Sequence, residues 1–301
     1  MGNDEQFVGV TKVRMRDIMK WQAERWLKRK DLSYKVPHTK KTKIHEIYSN
    51  REFGTITWIG HVTFLIQLSG LNIVTDPVWA SRVGFEKRLS KPGIMLEDMP
   101  EIDIVLISHN HYDHLHFNSI YQLKGDPLFL VPKGLKRLFL QKGITNVKEF
   151  NWWDCMLHKQ LELTFLPTLH WSRRSLLDLN KSLWGGWMVK ERSKTIFFVG
   201  DSGYHPIFKK IGRSYQIDYA LIPIGAYEPE WFMKQQHVTP EEAVQCFQEL
   251  NASTFIPMHY DAFRLADDTP KEALDRLKKA WNKRKGSKKL MILKLGETLD
   301  L

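Results

Sequence analysis

One feature recurs along this chain and limits what it can fold into. A short apolar run of strand length ends, and a histidine or an aspartate follows almost at once. Residues 102–108 read Ile-Asp-Ile-Val-Leu-Ile-Ser and lead straight into His109-Asn-His111-Tyr-Asp113-His114. Residues 161–168 precede His170, residues 195–200 precede Asp201, and residues 254–258 precede His259. Short apolar runs bounded by turn residues read as buried strands. Polar side chains set just past several such strands are expected to converge on one edge of a sandwich. Further strand candidates are 55–67, broken at Gly60, then 71–76 with a turn at Asp76-Pro77, and 128–131, 184–190 and 219–224. Helical stretches fall near 135–141, at 239–250 and at 271–281, the second opening with Thr239 as N-cap and Pro240 in the first helical position. Two halves, each rich in strands and then helical, predict a layered α/β sandwich rather than a single wound sheet. No repeat of about 20–50 residues interrupts this pattern.

The chemistry follows from the residue types. Imidazole nitrogens and carboxylate oxygens are the ligands a borderline cation such as Zn²⁺ prefers. Four of them within His109–His114, joined by ligands from later strand ends, are too many for one tetrahedral ion. Two cations a short distance apart would use them all. A chance polar loop is the bland alternative, and its place after a buried strand tells against it. Asp76, at a strand end before Pro77, is read either as a brace for the 109–114 loop or as a plain turn aspartate. His61 reads as structural, Tyr112 as a residue facing the pocket, and His116, His158 and His205 as surface.

Composition narrows the class. With 43% hydrophobic residues in 301, the chain can bury a sizeable core, which excludes disorder for most of it. No apolar run approaches the roughly 20 residues of a membrane-spanning helix. Residues 1–10 are polar and lack the apolar centre of a leader peptide, and Gln6 fails the myristoylation pattern. Two cysteines, Cys155 and Cys246, cannot build a disulfide framework, so a reducing, cytoplasmic setting is expected.

The net charge of +11 is unevenly spread: residues 11–43 carry twelve Lys/Arg against Asp17, Glu24 and Asp31, and residues 271–290 carry nine against Glu272 and Asp275. Basic ends on a slightly acidic body point to an anionic partner such as phospholipid headgroups or nucleic acid, or to solvated helix faces that aid solubility. Met15, Ile18, Met19, Ala23 and Trp26 recur at helical spacing among Arg16, Lys20, Arg25 and Lys28. Such a helix can lie on a membrane or pack its apolar stripe on the core; the expectation is a packed stripe with the basic face outward. Pro37 and the lysines of 40–43 mark a loop, dividing the chain into a basic, partly helical extension at 1–45 and a body at 46–301.

The His-x-His-x-Asp-His pattern with a later His, Asp and His resembles the metallo-β-lactamase superfamily. That resemblance implies an αββα sandwich with a two-metal site at its open edge. It assigns His109, His111 and His170 to one metal and Asp113, His114 and His259 to the other, with Asp201 bridging. Beyond the metal motif, Thr57-Trp58-Ile59-Gly60-His61, Thr75-Asp76-Pro77, Trp184-Gly185-Gly186-Trp187, Gly200-Asp201-Ser202-Gly203-Tyr204 and the run from Pro223 to Val238 resemble the N-acyl-phosphatidylethanolamine-hydrolysing phospholipase D family. The likeness covers about residues 50–260. It departs after His259, where Tyr260-Asp261-Ala262-Phe263 stands in place of the Trp-Gly-Thr-Phe of the animal enzymes, and in the basic N-terminal stretch.

The resemblance implies a phosphodiesterase with two Zn²⁺ per chain, other divalent metals being compatible. A hydroxide shared by the metals would attack phosphorus and release phosphatidic acid and an N-acylethanolamine. Asp201 and Asp113 are then the catalytic carboxylates, and His237 is read either as meeting the substrate or a leaving-group oxygen or as a helix-approach histidine bonded to backbone. Trp171 and the 230–233 turn with Trp231, Phe232 and Met233 are expected to face lipid, while Trp152, Trp153, Trp184 and Trp187 are expected in the core. The implied partners are a phospholipid or other phosphodiester and, peripherally, an anionic inner membrane surface; a homo-oligomer is compatible. The competing reading is another two-metal hydrolase of this fold acting on a lactone or a soluble phosphodiester. A nuclease ranks last, because no separate RNA-binding arm is visible, and no nucleic acid is expected.

Overall fold

The computed structural model describes residues 15–301. Residues 1–10, read as lacking a leader, and the start of the basic stretch at 11–14 lie outside the described residues. Two seven-stranded sheets face each other. The first runs, in spatial order, Thr298–Asp300, Thr55–Gly60, Thr63–Leu68, Leu71–Thr75, Ile104–Leu106, Leu128–Pro132 and Val147–Phe150. The second runs Lys289–Leu290, Thr254–Met258, Tyr219–Pro223, Thr195–Phe198, Gly186–Lys190, Leu161–Leu166 and Cys155–His158.

Strands here are apolar on both faces because both faces are covered. In the first sheet, Ile104 and Leu106 point into the core between the sheets with Phe64, Ile66 and Trp187. Their neighbours Val105 and Ile107 point the other way, against Phe117, Ile120 and Phe139 of the flanking helical segments. The second sheet is covered by Ile207–Ser214, Pro240–Glu249 and Pro270–Asn282 through Phe208, Phe247 and Leu277. This is the expected αββα sandwich. Capping boxes start the last two helices, with Thr239 paired to Glu242 and Thr269 to Glu272. Near the functional edge, the Trp187 indole donates across the sandwich to the Ile107 carbonyl at 2.8 Å.

Strand direction places the chemistry. The strands from Leu71 to Phe150 in the first sheet are parallel, as are those from Thr195 to Leu290 in the second. Their C-terminal ends therefore share an edge within each sheet. Leu161–Leu166 is two antiparallel steps from Thr195–Phe198 and points the same way, so the segment leading to His170 leaves at that edge too.

Two expectations are corrected. Residues 55–67 are not one broken strand but the hairpin Thr55–Gly60 and Thr63–Leu68, because Gly60 (φ 136°) and His61 (φ 54°) turn the backbone through the left-handed region. The helix Met15–Leu27 does not bury its apolar stripe: Met15, Met19, Ala23 and Trp26 are exposed, Trp26 at 84%. It is seated by its other side. Trp21 stacks on Phe232 at 5.2 Å and donates to Asp267 at 3.1 Å, while Arg25 reaches Glu86 at 2.8 Å and the Arg264 carbonyl at 3.1 Å. Directed polar contacts set its rotation where hydropathy predicted the reverse. Farther along, Lys30 bridges Glu228 and Glu272, each at 2.7 Å, and Val36 is buried in the main core.

Candidate metal centre

All seven proposed ligands meet at the shared edge, nearly all of them buried. His109, His111, Asp113 and His114 come from the loop after Ile104–Leu106. Asp201 follows Gly200, whose φ of 68° and packing against Ser108 leave no room for a side chain: a Cβ there would sit 2.8 Å from the Ser108 Cβ. His259 follows Thr254–Met258 at φ 63°, and Gly225 lets its carbonyl approach, since a Cβ at 225 would lie 1.9 Å from it.

The groups fall into two clusters joined by one carboxylate. His109 Nε2 and His170 Nε2 lie 2.8 and 3.2 Å from His111 Nδ1. In the other cluster, Asp113 Oδ2 lies 3.3 Å from His259 Nε2 and 3.4 Å from His114 Nε2. Asp201 Oδ2 reaches into both: 3.1 Å to His114, 3.3 Å to His259, 3.8 Å to His170 and 3.9 Å to His237 Nδ1. Outer partners fix several ring orientations. His114 Nδ1 pairs with Asp76 at 2.7 Å, His109 Nδ1 with Ser108 Oγ at 2.9 Å, and His170 Nδ1 with the Gln236 carbonyl at 2.9 Å. Asp76 also accepts from the Ser108 amide at 2.7 Å, which makes it a brace of the ligand loop rather than a plain turn residue.

Burial, opposed or aided by these carboxylates, sets the protonation states. Burial pushes His109 well below the usual histidine range, His111 down to about 4 and His170 down to about 3. Burial also acts against charge on His114 and His259, but Asp201 and Asp113 overcome it, holding His114 well above its usual range and His259 at about 9. Burial alone would raise Asp113 and Asp201, yet the neighbouring imidazoles, His114 foremost, hold both well below the ordinary carboxylate range.

The arrangement fits divalent cations on its own chemistry. In the first cluster imidazole nitrogens confront one another at hydrogen-bond distance without a carboxylate between them. His111 Nε2, His237 Nδ1, His259 Nδ1 and Asp201 Oδ1 are buried without a hydrogen bond from the protein. Unpaired buried polar atoms cost about 1–3 kcal/mol each, which a bound cation would relieve where the atom can reach it. Among the described residues, four groupings of ligand atoms lie within 4.8 Å: His61, Asp113, His114 and His259; His109, His111 and His170; Asp76, His109 and His114; and His170, Asp201 and His237.

His61, read as structural, belongs to this centre. Its Nε2 lies 3.2 Å from Asp113 Oδ2, its ring centroid 4.3 Å from that of His259, and its amide donates to Asp261 at 2.6 Å. The signal was strand parity: a hairpin at 60–62 returns Thr55–Gly60 to the direction of Leu71–Thr75 and puts His61 at the same edge. His237 is brought to Asp201 and buried. Tyr112 is half exposed, and its hydroxyl donates to the Arg174 carbonyl at 2.9 Å. His116 and His205 are not free surface residues: each is half-buried and accepts a backbone amide at the start of a helix, from Ser119 and Ile207. Trp171 packs on His111 at 4.5 Å, and Trp231 is half exposed beside the Met15–Leu27 helix, donating to Glu24 at 3.2 Å.

A family model described as a beta-lactamase superfamily domain matches residues 71–260. The chain is 37% identical over 252 residues to N-acyl-phosphatidylethanolamine-hydrolyzing phospholipase D 1 of Caenorhabditis elegans, covering 77% of this chain and 71% of that protein. It is 34% identical over 240 residues to a mitochondrial protein of the same name from Saccharomyces cerevisiae, covering 73% of this chain but only 51% of the yeast protein. Among solved structures, Igni18, a metallo hydrolase of Ignicoccus hospitalis, shares the fold with a TM-score of 0.65 at 22% identity, over 83% of this chain and 99% of that one. With its two-sheet sandwich and converging His/Asp edge, this chain belongs to the metallo-β-lactamase superfamily of metal-dependent hydrolases.

Proposed function

We propose that the chain is a two-zinc phosphodiesterase that hydrolyses N-acylphosphatidylethanolamine to phosphatidic acid and an N-acylethanolamine. The observation that carries this reading is Asp201, whose Oδ2 lies within 3.9 Å of nitrogens on four histidines drawn from both clusters. The names of the worm and yeast relatives support the choice of substrate.

His109, His111 and His170 would hold one cation; Asp113, His114 and His259 would hold the other, with Asp201 between them. Bound cations would supply Lewis acidity, lowering the pKa of the attacking water and neutralising charge on the phosphodiester oxygens. Asp201 orients the attacking water and accepts its proton. The water oxygen bonds to phosphorus, the bond from phosphorus to the N-acylethanolamine oxygen breaks, and the proton taken up by Asp201 passes to that leaving oxygen. His237, kept neutral mainly by burial, offers the buried Nδ1 edge of its ring, which makes no hydrogen bond within the protein, to that oxygen. Asp76 and Ser108 hold the ligand loop in place. Exposed Arg16, Lys20, Lys28 and Arg29 on and just beyond the Met15–Leu27 helix support an approach to an anionic membrane surface. Among the described residues no helix is long and apolar enough to cross a membrane.

The test is one preparation assayed twice. Metal is counted per chain, and phosphatidic acid release is followed from N-acylphosphatidylethanolamine in mixed micelles. About two zinc ions and chelator-sensitive release are expected. Two metals without release would keep the hydrolase and discard the lipid in favour of lactones or soluble phosphodiesters.

A further inference from the structure

Between His170 and the strand Gly186–Lys190 the chain makes an excursion beside the metal centre, with Leu176 85% and Leu177 82% exposed. The backbone there is firmly braced. Asp178 accepts the amides of Arg174 at 3.0 Å and Ser175 at 2.7 Å, and Ser172 and Asn180 exchange two hydrogen bonds at 2.8 and 3.1 Å. The Arg174 guanidinium reaches back to the ligand loop, donating to the carbonyls of Asn110 at 2.7 Å and Leu115 at 2.8 Å. Two adjacent leucines are thus exposed on a backbone held in place by hydrogen bonds on both flanks. Isolated exposed leucines need no explanation, but a paired, braced apolar tip does.

The surroundings indicate what covers it. The Leu183 amide donates to the Lys133 carbonyl at 2.9 Å, which sets the 133–137 segment against the base of the excursion. Lys133, Lys136, Arg137 and Lys181 are exposed and form no ion pair among the described residues. The nearby carboxylate of Glu149 is occupied by the amides of Gly134 and Lys136 at 2.9 and 2.5 Å. An apolar tip on an excursion whose base meets a segment of unpaired cations matches the boundary of an anionic bilayer, with acyl chains for the leucines and headgroups for the bases.

We propose that the braced tip at Leu176–Leu177 inserts into an anionic phospholipid bilayer, with Lys133, Lys136, Arg137 and Lys181 meeting its headgroups. This extends the phospholipid reading above to the surface on which the enzyme works. The test uses the full chain with its metal, co-sedimented with vesicles of phosphatidylcholine containing phosphatidylserine. Wild type is compared with the double variant L176S/L177S and with L157S, which removes another exposed leucine, 75% exposed, from the strand Cys155–His158. Loss of vesicle affinity by about tenfold or more in the double variant, with L157S unchanged, is expected. Equal binding by all three, or no binding by wild type, overturns the proposal. So does a wild-type dimer that L176S/L177S converts to monomer without any vesicle binding, since a second copy then covers the leucines. Phosphatidic acid release from micelles separates the two ideas. Leucine-dependent docking without release removes the substrate and keeps the surface; release with leucine-independent docking does the reverse.

Discussion

The floor of the functional edge and its rim reverse the usual partition of a folded chain in opposite senses. On the floor, imidazoles and carboxylates that would ordinarily face water are buried, among them His109, His114, His170, Asp201 and His259. On the rim, Leu176, Leu177, Met15, Met19 and Trp26 stand in water although they are apolar. Buried polar groups and exposed apolar patches are the two departures that carry information about function. On the proposals above, each takes a companion of the opposite kind: a cation for the floor, a lipid surface for the rim. The floor's companion follows from donor atoms at fixed distances, whereas the rim's follows only from area and nearby charge, so the floor is the more sharply defined of the two.

The strongest challenge to this contrast is Asp201→Asn, which keeps the shape and removes the charge that reaches both clusters. Turnover should fall by roughly 10²–10³-fold or more with the fold retained, measured as phosphatidic acid release beside a circular dichroism melt. Full activity would break the two-cluster reading of the floor. Next in size is His61→Asn, which removes the ring beside Asp113 and His259. Metal affinity should drop about 10- to 100-fold in a competition titration, and unchanged affinity would return His61 to a purely structural role. Chelation addresses the floor as a whole. A ligand that binds only the folded state stabilises it, so removing metal should lower the melting temperature by on the order of 5 °C; an identical melt would mean that the buried groups need no cation. The smallest effect belongs to the rim: Lys28→Gln, which alters an exposed base just past the Met15–Leu27 helix, should weaken binding to phosphatidylserine vesicles by about fivefold or less. A larger loss than L176S/L177S gives would shift the rim's weight from the leucines to the basic helix.

Much of the floor was legible in the sequence because its residues obey two constraints at once. Each had to be a ligand type, and each had to follow a buried strand. Asp76 met both and is a brace, and His237 lies against Asp201. His61 satisfied them too, but the turn that places it was hidden inside an apparently continuous strand, and only positive φ at Gly60 and His61 reveals it. The Met15–Leu27 helix went the other way for a related reason. A hydropathy stripe states which side is apolar, not which side is held, and Trp21 and Arg25 hold this helix by directed contacts with Asp267, Glu86 and Phe232. The leucine tip gave no periodic signal at all, because loops carry none.

Arg174 gives the excursion after His170 a property that surface loops rarely have. Loops usually tolerate insertions and deletions, since little depends on where their residues lie. Here a single guanidinium satisfies carbonyls within and just after the ligand stretch, at Asn110 and Leu115. One added or deleted residue between Ser172 and Asp178 would withdraw it, leaving those carbonyls unpaired and the ligand loop free to drift. The length of this loop is therefore tied to the ligand loop, and substitutions at its tip disturb that tie far less than a change in its length.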